Sequence, residues 1–178
     1  MKIKTFNQWT GFVLTALLCA PALAADWPEF RGPEHDGRSP ETILKAWPDE
    51  GPKVAWRNPI GAGFAAFSVS QGKAYCFVER NGKEAVVAWD AKTGKELWAS
   101  TIDDSIRDRQ GGDGPRSTPA VDGDRVYILS TYLWLVCLNA ADGKELWAHD
   151  LVREFGGREI PWGNAASPII DGDLIFAC

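Results

Sequence analysis

The chain has 178 residues, and 45% of them are hydrophobic, which is enough to bury a sizeable core. Its formal net charge is −5, and an acidic chain repels phosphate groups, which disfavours nucleic acid as a partner. None of the four cysteines has CxxC or CxxH spacing and there are only two histidines, so we predict no metal site.

The first 24 residues are typical of a secretory signal peptide. Lys2 and Lys4 precede an apolar run at residues 11–20, and Ala22 and Ala24 lie at the small-residue positions of a cleavage site. The run is about half the length of a membrane-spanning helix, which needs roughly 20 residues. We therefore predict an exported protein, periplasmic or extracellular, with no transmembrane span after cleavage.

Three cysteines follow the predicted cleavage site, namely Cys76, Cys137 and Cys178, all within apolar strand-like runs. An odd number leaves at least one unpaired in an oxidising compartment. The sequence favours buried free thiols, and a bridge such as Cys76 to Cys178 is the alternative.

The mature chain shows no sustained helical period. Short runs rich in valine, isoleucine and aromatic residues alternate with glycine and aspartate turns, which predicts an all-β fold. In chain order the predicted strands are FAAFSV, AYCFV, AVVAWD, ELWAS, STPAV, RVYILS, LWLVCLN, ELWAHD, ASPII and LIFAC. Two long connections, IDDSIRDRQGGDGPRS and LVREFGGREIPWGNAAS, separate the groups. The DGD segments at residues 122–124 and 171–173 are predicted hairpin turns.

A segment of eleven residues occurs in two similar copies, as AWDAKTGKELW at residues 88–98 and as CLNAADGKELW at residues 137–147. Four predicted strands in each period of about 45–50 residues indicate a β-propeller, in which each four-stranded antiparallel sheet is one blade. We predict an N-terminal extension at 25–50 and propeller repeats at 51–178. About two and a half blades are present, at 57–98, 99–147 and 148–178.

The repeated segment has the form Ala-x-Asp-x-x-Thr-Gly-x-x-x-Trp and resembles the tryptophan-docking motif of PQQ-like (pyrroloquinoline quinone-type) propellers. The first copy matches at Ala88, Asp90, Thr93, Gly94 and Trp98. The second copy keeps Gly143 and Trp147 and has Asn139 at the aspartate position. DWPEFRGPEHDGRS and GPRSTPAVDGDRVY also resemble exported bacterial members of this superfamily.

Such propellers typically have seven or eight blades, so the resemblance implies that this chain is an N-terminal fragment. Trp56 stands at the place of a blade-ending tryptophan, 42 residues before Trp98, and is predicted in the strand that completes the last blade. In an open array, we expect the outer face of the first blade and the edge of LIFAC to be exposed, with aggregation as the consequence.

The resemblance implies two classes of function and does not decide whether the chain is an enzyme. The first is a binding or scaffold propeller with a protein partner or small-molecule ligand on its rim. The alternative is a quinoprotein dehydrogenase that holds PQQ and calcium on the propeller axis and oxidises alcohols or sugars. The chain has no adjacent Cys-Cys pair, a feature that the resemblance leads us to seek in the enzymes, so binding is the first hypothesis.

A ligand is expected at the two long connections, since inter-blade loops of propellers reach one rim near the axis. Arg116 is the candidate to pair with an anionic ligand, Trp162 to stack on a planar ring and Asn164 to donate its amide. Each has a structural alternative: linking adjacent loops, filling a gap between blades and stabilising a turn, respectively. The four aspartates of the first connection lack the spacing of a helix-flanked calcium loop, so we predict solvated turn residues there. No catalytic residue is assigned.

Overall fold

The computed structural model describes residues 25–43 and 45–178, and the predicted signal peptide lies outside them. Three antiparallel sheets follow one another along the chain, two of four strands and one of two. The first sheet comprises β1 (Ser68–Ser70), β2 (Lys73–Arg80), β3 (Lys83–Asp90) and β4 (Glu96–Asp104). The second comprises β5 (Ala120–Asp122), β6 (Arg125–Leu129), β7 (Trp134–Asn139) and β8 (Glu145–Asp150). The third comprises β9 (Ile169–Asp171) and β10 (Leu174–Phe176). The predicted all-β fold with four-stranded antiparallel blades is confirmed.

Strands pair in sequence order within every sheet, so that the first strand of each sheet is an edge strand. These first strands lie side by side, because β1 contacts β5 and β5 contacts β9. We call β1, β5 and β9 the inner strands. The sheets therefore converge on their first strands and spread towards their last, as blades do around a propeller axis.

The repeated eleven residues form the hairpin that joins the third and fourth strands of each four-stranded sheet. The Asp90 carboxylate accepts hydrogen bonds from the backbone N–H and the hydroxyl of Thr93, both at 2.7 Å, and these lower the pKa of Asp90. In the second hairpin, Asn139 accepts from the N–H of Ala141 at 2.8 Å. A register shift precedes the turn on the third strand of both sheets. The two copies thus have the same local geometry despite their sequence differences.

Trp98 on β4 contacts the corresponding hairpin of the second sheet. Its indole N–H donates to the carbonyl of Ala140 at 3.2 Å, and Ser100 donates to the carbonyl of Gly143 at 2.5 Å. Gly143 has φ +72, and a Cβ atom built there would lie 2.5 Å from the Trp98 ring. Glycine is therefore required at this position for two reasons. It can adopt the left-handed backbone conformation, and it has no Cβ to block the approach of the ring. We call this contact the indole joint.

An equivalent indole joint lies one repeat earlier. The indole N–H of Trp56 donates to the carbonyl of Ala91 at 2.9 Å, and Asn58 donates to the carbonyl of Gly94 at 2.7 Å. A Cβ atom at Gly94 would lie 2.6 Å from the Trp56 ring. Trp56 was expected in a strand, but residues 51–67 form none, and within the described chain no neighbouring strand is available to pair with it.

A second periodic contact lies beside the inner strands. The N–H of Ala66 donates to the hydroxyl of Thr118 at 3.1 Å, and the N–H of Thr118 donates to the hydroxyl of Ser167 at 2.8 Å. Each hydroxyl residue precedes a proline at the start of an inner strand. A hydroxyl in one repeat therefore accepts the amide of the preceding repeat, and we call this contact the hydroxyl joint.

The main hydrophobic core lies between the first two sheets. Its buried members are Tyr75, Phe77, Val86, Ala88, Trp98, Val121, Val126, Ile128, Val136, Leu138 and Ala140. The opposite face of the first sheet was expected to be exposed, and this expectation is wrong. Val87 and Trp89 on that face are 0% and 2% exposed, because Ala65 and Phe67 of the preceding segment pack against it. By contrast, Leu174 and Phe176 on β10 are exposed.

The described cysteines are free thiols, with Cys76 and Cys137 buried in the first two sheets and Cys178 exposed. The alternative bridge between Cys76 and Cys178 is not formed. Burial raises the pKa of the Cys76 thiol to about 11, which keeps it protonated and unreactive at neutral pH.

One short helix, α1 (Leu151–Phe155), lies in the second long connection, where the sequence predicted only a loop. Asp150 caps its start by accepting hydrogen bonds from the N–H groups of Val152 and Arg153. Gly156 ends it in the left-handed conformation, with φ 72. A helix of this length has too few residues for an apolar period, which explains why the pattern did not reveal it.

Substituting Gly143 tests the indole joint. Gly143→Ala and Gly123→Ala both place a Cβ at positive φ, which costs about 1–2 kcal/mol, but the Cβ at Gly123 would have no atom within 4 Å beyond its chain neighbours. At Gly143 the new methyl group meets the Trp98 ring, and we expect a further loss of roughly 1–3 kcal/mol in the free energy of unfolding. Urea denaturation of the two variants measures the difference. Equal losses would contradict the joint.

Candidate functional site

Both long connections lie at one end of the sheets. Each leaves the fourth strand of one sheet and leads to the inner strand of the next. The hairpin turns at 81–82 and 130–133 are at the same end, since the N–H of Ser105 donates to Gly82 and the N–H of Asn164 donates to Thr131. We call this end, formed by residues 105–119, 130–133 and 151–168, the loop rim. It is where the sequence predicted a ligand.

A groove of about 570 Å³ opens between the two connections. We call it the rim groove, and its lining residues are Ser105, Ile106, Arg107, Tyr132, Glu159, Ile160 and Pro161. Ile160 is 40% exposed, and the neighbouring Trp162 is 60% exposed. The groove is therefore lined by apolar and polar side chains in similar measure.

A buried carboxylate, Glu84, lies behind the loop rim at the start of β3. It is 0% exposed and accepts hydrogen bonds from the N–H of Thr131, at 3.1 Å, and from the Thr131 hydroxyl. Burial raises the pKa of Glu84 to about 7, an effect opposed by the Thr131 hydrogen bonds. Next to it, Asp103 accepts from the hydroxyl of Ser130 at 2.7 Å. Two acids of the first sheet thus hold the β6–β7 turn of the second.

Arg116 is held within its own loop. Its guanidinium donates to the Asp108 carboxylate at 3.1 Å and to the carbonyls of Gly112 and Gly114 at 3.0 and 3.4 Å. It also lies 5.6 Å from the centre of the Phe64 ring, and the side chain is 13% exposed. These contacts correspond to a structural role. They link the loop to itself and to the segment before β1, whereas the structural alternative expected from the sequence was a link between adjacent loops.

Trp162 and Asn164 differ in their surroundings. Trp162 projects from the second connection with most of its side chain in solvent. Asn164 is 8% exposed, and its side-chain amide both donates to and accepts from the backbone of Ala166, at 3.1 and 3.2 Å. Among the described residues, no hydrogen bond joins Arg116, Trp162 and Asn164 to one another. Their role in holding a cofactor therefore stays a prediction.

The acids of the first connection are engaged by neighbouring groups. Asp104 pairs with Lys83 at 2.5 Å, and Asp113 pairs with Arg107 at 2.8 Å. Within residues 25–43 and 45–178, no three His, Cys, Asp or Glu side chains are placed to share a metal ion. In the same part of the chain, no helix has the length and apolar character to cross a bilayer.

Sequence reasoning missed Glu84 and Thr131. Glu84 lies in a strand that reads as apolar apart from its ends, and Thr131 lies in a turn, 47 residues away. Neither residue belongs to a motif. Only the packing of one sheet on the next brings them together, so no local signal was available.

A family model described as "Outer membrane protein assembly factor BamB" matches residues 82–178, more than half of the chain. The chain belongs to this family of PQQ-like repeat proteins. No curated protein sequence matches it.

Solved structures with the same fold include quinoprotein enzymes. Quinohemoprotein alcohol dehydrogenase from Comamonas testosteroni is 20% identical, with a TM-score of 0.58 over 86% of this chain and 23% of that one. A europium-containing methanol dehydrogenase is 16% identical, with a TM-score of 0.50 over 69% of this chain and 22% of that one. BamB from Moraxella catarrhalis is 21% identical, with a TM-score of 0.34 over 50% of this chain and 22% of that one. The likeness to the two dehydrogenases shows the β-propeller fold, and this chain spans less than a quarter of the length of either.

Replacing Glu84 tests the buried acid at the loop rim. Because folding raises its pKa from an ordinary 4.5 to about 7, its contribution to stability is present below pH 4.5 and is lost as the pH rises through 7. Between pH 5 and 8 we expect the unfolding free energy of the wild type to fall by roughly 2–3 kcal/mol more than that of Glu84→Gln. Denaturation across this pH range measures the loss.

The control for this prediction is Glu145→Gln, which neutralises an exposed glutamate on β8. We expect it to follow the wild-type curve, because it leaves the buried contact of Glu84 with Thr131 intact. If Glu84→Gln and Glu145→Gln follow the same curve, Glu84 does not hold a proton at neutral pH.

Proposed function

We propose that the chain is a non-catalytic binding module of an exported propeller, and that its loop rim takes a polypeptide partner. The observation that carries the proposal is the contrast within this rim. Its apolar side chains Ile160 and Trp162 face solvent, whereas Arg107 and Arg116 are paired with acids of their own loop. A surface of this kind offers apolar contact area beside two arginines that are already paired.

The engagement of Arg116 favours a polypeptide over an anionic quinone at this position. A carboxylate-bearing cofactor requires cationic side chains that are free to turn towards it. Arg116 already has three acceptors within its loop and is largely buried. A protein interface instead gains most from exposed aromatic side chains that become buried, and tryptophan is prominent among residues that dominate binding.

The family description supports a partner in the cell envelope. The matching model is described as an outer membrane protein assembly factor, and the first 24 residues have the pattern of an export signal. The partner class that fits both is an extended segment with alternating apolar and polar residues, as in strands of outer-membrane barrels. We propose the same binding activity for any longer protein that contains these repeats.

Peptide binding tests the proposal directly. The probe is a fluorescein-labelled ten-residue peptide in which valine or tyrosine alternates with serine or threonine, and fluorescence anisotropy reports its binding to residues 25–178. We expect Trp162→Ser to weaken binding at least fivefold. The matched control is Leu174→Ser, since Leu174 is 59% exposed and lies on β10, away from the rim groove.

The alternative, a quinoprotein dehydrogenase, is tested on the same preparation. The protein is mixed with PQQ and calcium, and reduction of a redox dye is followed with ethanol or glucose present. Alcohol-dependent dye reduction would overturn the proposal. So would peptide binding that Trp162→Ser and Leu174→Ser weaken equally, because the loop rim would then have no particular part in it.

A further inference from the structure

The segment at residues 26–32 packs against the inner strands and has no part in the proposed binding surface. Trp27 forms an antiparallel bridge with Val69 at the centre of β1, with N···O distances of 2.7 and 2.8 Å. The Asp26 carboxylate accepts from the hydroxyl of Ser70 at 3.0 Å and from the N–H of Gln71 at 3.1 Å. The segment is thus fastened to both β1 and its hairpin turn.

The next residue contacts the inner strand of the second sheet, and Glu29 follows it. The carbonyl of Pro28 accepts from the N–H of Val121 on β5 at 2.9 Å. Glu29 is 8% exposed, and burial raises the pKa of its carboxyl; its Oε2 is buried and has no hydrogen-bond partner among the described residues. Residues 27 and 28 therefore bind β1 and β5 in turn.

The contacts of Trp27 and Pro28 lie at the same height on the blades. Val69, Val121 and Ile170 are each the middle residue of a three-residue inner strand. Each pairs with the second residue of the following strand, as Val69 does with Ala74. The segment consequently follows an arc around the line on which the inner strands converge, and its own backbone covers amides on their open edges.

A glycine turn fixes the arc in place. The N–H of Gly32 donates to the carbonyl of Glu29 at 3.0 Å, and Gly32 has φ +78. The Trp27 ring lies against this turn, so that a Cβ atom at Gly32 would be 2.7 Å from the ring. The imidazole of His35 contacts the Glu29 carboxylate, with 3.7 Å between Nε2 and Oε1.

We infer that residues 26–32 are an axial strap, which covers the open inner edges of consecutive repeats and closes the propeller axis at the end opposite the loop rim. The end is fixed by Asp26, which binds the β1–β2 turn, whereas the loop rim contains the β2–β3 turn. Open strand edges bind extended polypeptides readily. The strap fills these edges from within the chain and leaves the loop rim as the open end of the axis.

Amide hydrogen exchange, measured residue by residue, tests the strap on the chain from residue 25 to 178. The variants are Gly32→Ala and Gly37→Ala, which both place a Cβ at positive φ, +78 and +75. Only Gly32 lies under Trp27, because the nearest atom to a Cβ at Gly37 is 3.9 Å away. We expect Gly32→Ala to accelerate exchange at the amides of Val69 and Val121 at least tenfold, and Gly37→Ala to change it less than threefold.

Val136, in the core of the second sheet, is the internal reference for global opening. Trp27→Ala, which removes the ring without backbone strain, should reproduce the Gly32→Ala pattern. The inference is overturned if Gly32→Ala and Gly37→Ala act alike at Val69 and Val121, or if acceleration there does not exceed that at Val136. Neither result bears on peptide binding at the loop rim. The strap can therefore be rejected without rejecting the proposed function.

Discussion

The packing of an indole against a glycine hairpin connects one sheet to the next and sets the spacing of the repeats. The ring of Trp98 reaches the backbone of Gly143 because no Cβ stands between them, and the indole N–H satisfies a carbonyl of the same turn. This one contact demands a turn-forming Asp or Asn, a glycine and a tryptophan at fixed distances. The sequence repeats these residues because the geometry repeats.

Two further contacts act at other distances from the axis. The hydroxyl joint ties the segments that lead into the inner strands, while Glu84 and Asp103 hold the β6–β7 turn at the loop rim. The indole joint is made largely from apolar area, whereas the Glu84 contact contains an ionisable group in a dry environment. Neighbouring sheets are therefore held by three chemically different contacts, of which only the one at Glu84 depends on pH.

Features with a short sequence period were predictable, and features that depend on distant residues were not. Strands and hairpins follow from apolar runs and glycine turns, so the all-β fold and the family resemblance were accessible. Helix α1 is too short to show a period. The cover over Trp89 comes from an irregular segment, and the contact of Glu84 with Thr131 joins two sheets. Arg116 and Asn164 were chosen by residue type, and that type carries no information about the partners each has within its own loop.

Among the described residues, the hydrogen bonds between sheets join a repeat only to its immediate neighbours. Such a chain behaves as a linear array, in which the free energy is a sum of terms for each repeat and for each shared boundary. In such an array, the loss of one shared boundary destabilises the two repeats beside it more than a distant repeat.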